Sequence, residues 1–377
     1  MVEILDFKFF MPVKVCFSKN VVAAQADLIA SYGKKALIIT GKHSAKACGA
    51  LEDVIKVLEE KLITYTVFDE IENNPSVETV SKAAGIAREK QVEMIIGIGG
   101  GSPLDASKAI AVLAANKDMD VLDLFKNAFT KVLPVIAIPT TAGTGSEVTP
   151  YSVLLRKDIE TKVSFGTEQT YPKCALLDAK YTMSLGKKST ISTAVDAFTH
   201  ALEGYLANRS TVVTDTFALE AISAFGKTIK KLVSFDLSEE DRVRLMYVSL
   251  LGGMIIAQTG VTIAHGMGYC YTFFKKIPHG AANGLLMREY LKINYDAVPE
   301  KIDSALKALG CSSIDEFADI LTQMLGKPPK LTDEEIERYT ELTQIQKGSM
   351  TNTPHEMDAK TVGYLWAKVG KLRNHQI

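Results

Sequence analysis

The feature that most constrains the fold is a change of rhythm near residue 185. Before it, short β-branched runs alternate with helical patterns; beyond it the strands stop. The runs at 36–40 (ALIIT), 64–68 (TYTVF), 93–98 (EMIIGI), 134–138 (PVIAI) and 174–178 (CALLD) read as strands. Segments 44–61, 76–90 and 103–116 read as the helices between them. Such alternation predicts a parallel sheet with helices on its faces. Residues 151–165 read as a hairpin inserted before the last strand. Later segments predict helices only: 189–207, 213–233, 240–258, 280–309, 314–325, 332–344 and 358–370. "SLGKKST" (184–190) supplies turn and cap residues at the junction. The expectation is an α/β domain over 1–185 and an all-helical domain over 186–377, each long enough for its own core. A cleft between two domains is a common place for a small-molecule site.

Composition removes several classes. With 43 basic and 44 acidic residues the net charge is −1, and no basic block marks a nucleic-acid or acidic-membrane surface. No apolar run reaches the ~18 residues of a membrane span. The N-terminus, "MVEILDFKFF", lacks a signal-peptide layout. Five scattered cysteines without a CxxC predict reduced, cytoplasmic usage rather than a disulfide framework.

Two glycine-bearing loops follow strands of the first domain. In "IIGIGGGSPLDASKAI" (95–110), Gly99, Gly100 and Gly101 permit close backbone approach, with Ser102 placed as N-cap and Pro103 as first helical residue. The exposed N–H groups of a helix start favour an anionic group such as pyrophosphate. Residue 102 is Ser where the GxGxxG fingerprint has its third glycine, and no Gly-Lys-Ser/Thr follows, so neither common phosphate motif is met. The bland alternative is a tight strand-to-helix turn. In "IPTTAGTGSEVTPYS" (138–152), Thr140, Thr141 and Thr144 supply hydroxyls. Two such loops at the ends of parallel strands point to a dinucleotide, which makes the first domain dinucleotide-binding.

The predicted helix at 189–207 carries Asp196 and His200 four residues apart, on one face. Either these are two ligands of one metal, or Thr193, Asp196, His200 and Glu203 form a solvated stripe. Further along, "GVTIAHGMGYCYTFFKKIPHGAANG" (260–284) holds His265 and His279, each followed by glycine, separated by an apolar, aromatic loop. Three imidazoles and one carboxylate suit a divalent first-row metal. His43, His355 and His375 are not expected to be ligands.

These motifs together resemble the iron-containing (group III) alcohol dehydrogenase family: "GGGSPLD" (99–105), "PTTAGTGSE" (139–147), "DAFTHALE" (196–203), "AHGMG" (264–268) and "PHG" (278–280), in that order across both domains. The resemblance implies a metal, Fe²⁺ foremost with Zn²⁺ as alternative, held by Asp196, His200, His265 and His279. It implies cofactor contacts at Gly99, Gly100, Gly101, Ser102, Thr140, Thr141 and Thr144, with Asn73 and Lys162 added. The reaction implied is reversible hydride transfer between a nicotinamide and a small aliphatic alcohol or aldehyde, the metal acting as Lewis acid. A homo-oligomer is implied too, with 7–17 as a candidate contact strand. Many members carry a proton-relay histidine four residues after the third ligand; here Tyr269 stands there, a poorer shuttle near neutrality. Where NAD-preferring members often carry Asp, this chain has Gly41, followed by Lys42, His43, Ser44 and Lys46. Without the acid that accepts from the 2′-hydroxyl, NADP(H) is expected over NAD(H). The alternatives are a glycerol-dehydrogenase-like polyol dehydrogenase, a dehydroquinate-synthase-like lyase, or a metal- or nucleotide-sensing protein. Phe165, Phe198, Met267, Tyr269 and Phe273 are candidate apolar lining.

Overall fold

The structure is a computed structural model that describes residues 6–159 and 161–371. It divides into two compact units, residues 11–185 and residues 186–371 together with 6–10.

The first unit contains β1 (Lys14–Phe17), α1 (Val21–Ala24), α2 (Ala26–Ala30), β2 (Lys35–Thr40), α3 (Ser44–Ala47), α4 (Ala50–Glu60), β3 (Thr64–Phe68), α5 (Val77–Glu89), β4 (Met94–Gly99), α6 (Gly101–Ala115), β5 (Val135–Pro139), β6 (Ser152–Arg156), β7 (Thr161–Phe165) and β8 (Cys174–Leu177). Six strands form one parallel sheet in the order β1-β8-β5-β4-β2-β3, and β6 and β7 form a separate antiparallel hairpin. β4 and β5 are buried throughout, which is why their sequences read as unbroken apolar runs. Both faces are covered. Leu37, Ile39 and Ile95 pack with α5 and α6 on one side. Ala36, Ile38, Met94 and Ile96 pack with α1 and α4 on the other. The chain runs outward from β2 to β3, then returns to place β4 on the far side of β2. That reversal is where open α/β sheets bind ligands, at the C-terminal strand ends.

The single predicted helix 44–61 is two, α3 and α4, split at Gly49, whose φ of +80° lies in the left-handed region. Ser102 is not the N-cap of α6. That place is taken by Gly100, and the Ser102 hydroxyl instead accepts the Asn74 N–H at 3.1 Å.

The second unit contains α7 (Lys187–Leu206), α8 (Val212–Ser234), α9 (Glu239–Thr259), α10 (Ile263–Phe274), α11 (His279–Gly284), α12 (Met287–Asn294), α13 (Pro299–Leu309), α14 (Ile314–Leu325), α15 (Asp333–Gln344), α16 (Lys347–Thr351) and α17 (Ala359–Gly370). The stretch holding His265 is a helix, α10, and not a loop. Segment 280–309 is not one helix but spans α11, α12 and α13, with Pro299 at the start of the last. Residues 6–10, expected with the α/β domain, belong to the helical unit: the Phe10 N–H donates to Gln258 Oε1 and Gln258 Nε2 donates back to the Phe10 carbonyl. Of the candidate contact strand 7–17 only the last four residues, 14–17, make a strand, at the edge of the sheet.

α7 is the core of this unit. It packs against α8, α9 and α11, and nearly every residue from Thr190 to Leu206 is buried. A helix buried on all sides has no solvated face for polar residues.

Candidate metal and cofactor sites

That burial decides between the two readings of the 189–207 stripe. Asp196, His200 and Glu203 are 4%, 5% and 0% exposed, and only Thr193 is half-exposed. A solvated stripe is excluded for these three, and buried charged groups need partners.

The partners come from α10 and α11. Glu203 Oε2 accepts from the Thr262 hydroxyl at 2.5 Å and from the Thr262 N–H at 3.0 Å, just before α10 begins. Glu203 Oε1 binds His265 Nδ1. With Nδ1 engaged, His265 Nε2 faces Asp196 Oδ1 at 3.7 Å and has no hydrogen-bond partner. His279 opens α11, and the ligand atoms of Asp196, His265 and His279 all lie within 4.8 Å of one another. His200 stands beside this triad, outside the closest set, its ring stacked on His265 with centroids 4.7 Å apart. Gly280 explains the glycine after His279: a Cβ there would lie 2.0 Å from the Ser192 carbonyl oxygen and 2.6 Å from Asp196 Cβ. Only a glycine lets α11 approach α7 closely enough.

The electrostatics match a cation site. Burial by itself would raise the Asp196 carboxyl, but His200, His265 and His279 hold it well below the usual carboxylate range. Burial disfavours a charged His265, yet Glu203 and then Asp196 outweigh it and push the imidazole up to about 10. An orphaned imidazole nitrogen, a carboxylate, and a second carboxylate orienting the far ring nitrogen are what a divalent first-row metal requires. The residues present therefore fit the metal.

Tyr269 is half-buried on α10, its ring parallel to that of His279 at 5.3 Å and 10°. His43 is exposed before α3, and the His355 N–H donates to Asn294 Oδ1; neither joins the cluster. His375 lies outside the described residues.

The cofactor candidates gather at the C-terminal ends of β2 to β5. Gly99 pairs in register with Pro139, so the two glycine loops leave the sheet side by side, and the Thr140 N–H donates to the Gly99 carbonyl at 2.8 Å. The glycines admit the neighbouring loop. A Cβ at Gly100 would meet Thr141 at 3.2 Å, and one at Gly101 would meet Thr144 Cγ2 at 2.9 Å. Part of the glycine run thus serves loop packing. Thr140 Oγ1 is buried without a hydrogen-bond partner, a polar atom suited to a bound ligand. Gly41 follows β2, Asn73 is exposed in the segment after β3, and Lys162 sits on β7 opposite Leu155.

Beneath these loops Lys108 is fully buried. Its Nζ donates to Ser146 Oγ at 2.8 Å and to the Tyr151 carbonyl at 2.6 Å, and lies 3.5 Å from Asp105 Oδ1. Ser146 Oγ donates to Asp105 Oδ1 at 2.5 Å, and the Val153 N–H donates to Asp105 Oδ2. One buried network ties both loops to the hairpin.

Comparison with known proteins agrees with this geometry. The family model described as iron-containing alcohol dehydrogenase matches residues 12–179, and the C-terminal model of the same family matches 190–368. The chain belongs to the iron-containing alcohol dehydrogenase family. It is 30% identical to 1,3-propanediol dehydrogenase of Klebsiella pneumoniae, over 81% of this chain and 79% of that one. It is 30% identical to an NADPH-dependent butanol dehydrogenase of Clostridium saccharobutylicum, over 84% and 82%. A solved iron-containing alcohol dehydrogenase from Thermotoga maritima superposes with a TM-score of 0.90 at 37% identity, covering 97% of this chain and 100% of that one. As a member of this family the chain is an alcohol and aldehyde oxidoreductase, with the family's metal and nicotinamide cofactors.

Three residues that hold one or other candidate site together were not singled out by the sequence: Glu203, Asn283 and Lys108. Glu203 was legible as the next polar step of the Asp196–His200 face. Asn283 follows His279 by four, and Lys108 follows Asp105 by three. Phe165 and Phe198, candidates for apolar lining, are instead core residues: Phe165 packs with Phe125 and Phe129, and Phe198 with Phe225 and Phe317.

Proposed function

We propose that this chain is an NADP(H)-preferring, iron-type aldehyde reductase of small aliphatic substrates. Its metal is held by Asp196, His265 and His279 with His200 as fourth ligand. When bound, the metal polarises the substrate oxygen as a Lewis acid, and the nicotinamide supplies the hydride. The chain's own residues hold and orient. Glu203 fixes the tautomer of His265, and the paired loops at 99–102 and 140–144 present N–H groups and hydroxyls to the cofactor phosphates, with Asn73 and Lys162 as further contacts. Relatives named for 1,3-propanediol, butanol and lactaldehyde support short alcohols and aldehydes as the substrate class. Cysteines without disulfides support a reducing, cytoplasmic setting, and the edge position of β1 supports a homo-oligomer, which sedimentation would test.

One observation carries the cofactor preference. No carboxylate stands at Gly41, whereas Lys42, His43 and Ser44 beyond it are exposed, and Lys46 Nζ pairs with Asp69 Oδ2 at 2.8 Å. Relatives include one named for NADPH and one, a sulfoacetaldehyde reductase, solved with NAD⁺, so the preference rests on this chain's own residues. An Asp placed ~4 Å from a 2′-phosphate would repel it by up to ~4 kcal/mol at an effective dielectric of ~20. The test is kcat/KM for NADPH against NADH with a panel of short aldehydes. The expected ratio is tenfold or more, about 1.4 kcal/mol; a preference for NADH overturns it. Gly41→Asp should shift the ratio toward NADH. Gly41→Ala is the needed control, because any Cβ there lies 3.1 Å from the Ile71 carbonyl oxygen.

A further inference from the structure

Asn283 belongs to no ligand set, yet it is completely buried at the metal cluster. It stands four residues after His279 on α11, so the two side chains share a helix face. Its Nδ2 donates to Asp196 Oδ1 at 3.2 Å and lies 3.4 Å from His279 Nε2. The carboxylate dictates which way the amide faces, since an ionised carboxylate can only accept. The amide oxygen therefore turns away from Asp196, toward Gly268 on α10. A Cβ at Gly268 would lie 2.0 Å from Asn283 Oδ1, a separation no side chain tolerates. Gly268 is the seat of the amide, on the same helix that delivers His265. α7, α10 and α11 thus meet at one side chain.

We propose that Asn283 is a positioning residue that fixes the Asp196 carboxylate for the metal, with Gly268 as the recess that keeps the amide in place. The inference rests on the reading of Asp196, His265 and His279 as metal ligands. Without this donor the buried Asp196 carboxylate is held only by packing and by the facing His265, and more of its ordering must then be done by the metal. Loss of an outer-shell partner of this kind costs about 10–100-fold in metal affinity.

The test uses the full-length protein stripped of metal and titrated with Co²⁺ against a competing chelator. Absorption of the bound Co²⁺ reports ligand geometry, and thermal melting of the metal-free protein reports folding. Asn283→Leu keeps the volume and removes the donor. It should lower Co²⁺ affinity by about 10–100-fold, alter the Co²⁺ spectrum, and leave metal-free melting near that of the unmodified protein. Asp196→Ala is titrated in parallel. If Asp196→Ala loses Co²⁺ while Asn283→Leu binds within about twofold of the unmodified protein, the positioning role is overturned and the metal reading stands. If Asp196→Ala binds Co²⁺ as well as the unmodified protein, the metal reading fails and takes the inference with it. Should Asn283→Leu not fold, a cycle decides. Gly268→Ala should weaken Co²⁺ binding in the native background and cost nothing further beside Asn283→Ala, where the opposing amide is gone. A Gly268→Ala penalty that persists in the double variant overturns the proposal.

Discussion

The two units build their sites from different materials. On the α/β unit the candidate cofactor surface is backbone and short side chains, Gly99 to Ser102 beside Thr140 to Thr144, held from beneath by Lys108. On the helical unit the candidate metal site is side chains from α7, α10 and α11, with His265 held by Glu203 and Asp196 by Asn283. A backbone site shares its task among many N–H groups, so single side-chain losses weaken it gradually. A side-chain site has few donors, and each is indispensable. The sharpest way to break the comparison is to remove one donor from each side.

The largest effect is expected at His265. Replacing it with Ala removes the imidazole that joins Glu203 to the cluster and leaves Glu203 buried with its Thr262 donors and the backbone N–H of residue 265. Turnover should vanish and metal content should fall, while affinity for the nicotinamide cofactor, read by fluorescence titration, stays within a few-fold. Full metal content with normal turnover would remove His265 from the site.

Lys108→Met is the counterpart on the α/β unit. Breaking a buried ion pair by removing one partner costs about 3–5 kcal/mol. Asp105 keeps its Ser146 and Val153 donors, so the lower end applies. Denaturant unfolding should show that loss, and the KM for cofactor should rise with metal content unchanged. Lost metal with unchanged cofactor KM would contradict the division of labour between the units.

A smaller, pH-dependent effect centres on Glu147, buried at 2% exposure beside this network. Burial raises its carboxyl to about 7, only partly offset by its own backbone hydrogen bond and by Lys108. The folded state thus holds a proton that the unfolded chain releases near pH 4.5. The stability contributed is complete below pH 4.5 and is lost as pH rises through 7, with a limiting slope of ~1.4 kcal/mol per pH unit. Unfolding free energy measured from pH 4.5 to 8 should flatten in Glu147→Gln. An unchanged slope would show that another group sets it.

The same contrast explains what the sequence disclosed. The parallel sheet was legible because strand and helix signals are local, and the glycine loops because a backbone site is contiguous. The candidate metal ligands were legible as residue types, but their surroundings were not. Whether Glu203 faces water or His265 depends on α8, α9 and α11 closing around α7, and no spacing within 189–207 carries that information. α10 was misread as a loop because Gly266 and Gly268 weigh against helix by propensity. Both glycines are there for tight packing, Gly268 against Asn283 and Gly266 against Gln346. The N-terminal residues were misassigned because the Phe10–Gln258 pairing joins residues 248 apart in sequence.

The smallest effect is expected at Tyr269, and it refines the comparison within the metal site itself. The residue occupies the relay-histidine position that the family resemblance highlights, so its hydroxyl is the obvious candidate proton carrier. The geometry assigns the ring a different task. It stands nearly parallel to His279 with ring centroids 5.3 Å apart, placed to restrain the plane of a candidate ligand imidazole. A phenol with a reference pKa of ~10 is also mismatched to proton transfer near neutrality. Tyr269→Phe keeps the ring and deletes only the hydroxyl. It should retain metal and keep kcat within about tenfold, whereas general acid–base groups typically contribute ~10²–10⁴-fold. Tyr269→Ala removes the ring and should loosen metal binding. Activity falling by ~10² or more in Tyr269→Phe, with metal content intact and a displaced pH–rate profile, would make the hydroxyl the proton carrier and the stacking incidental.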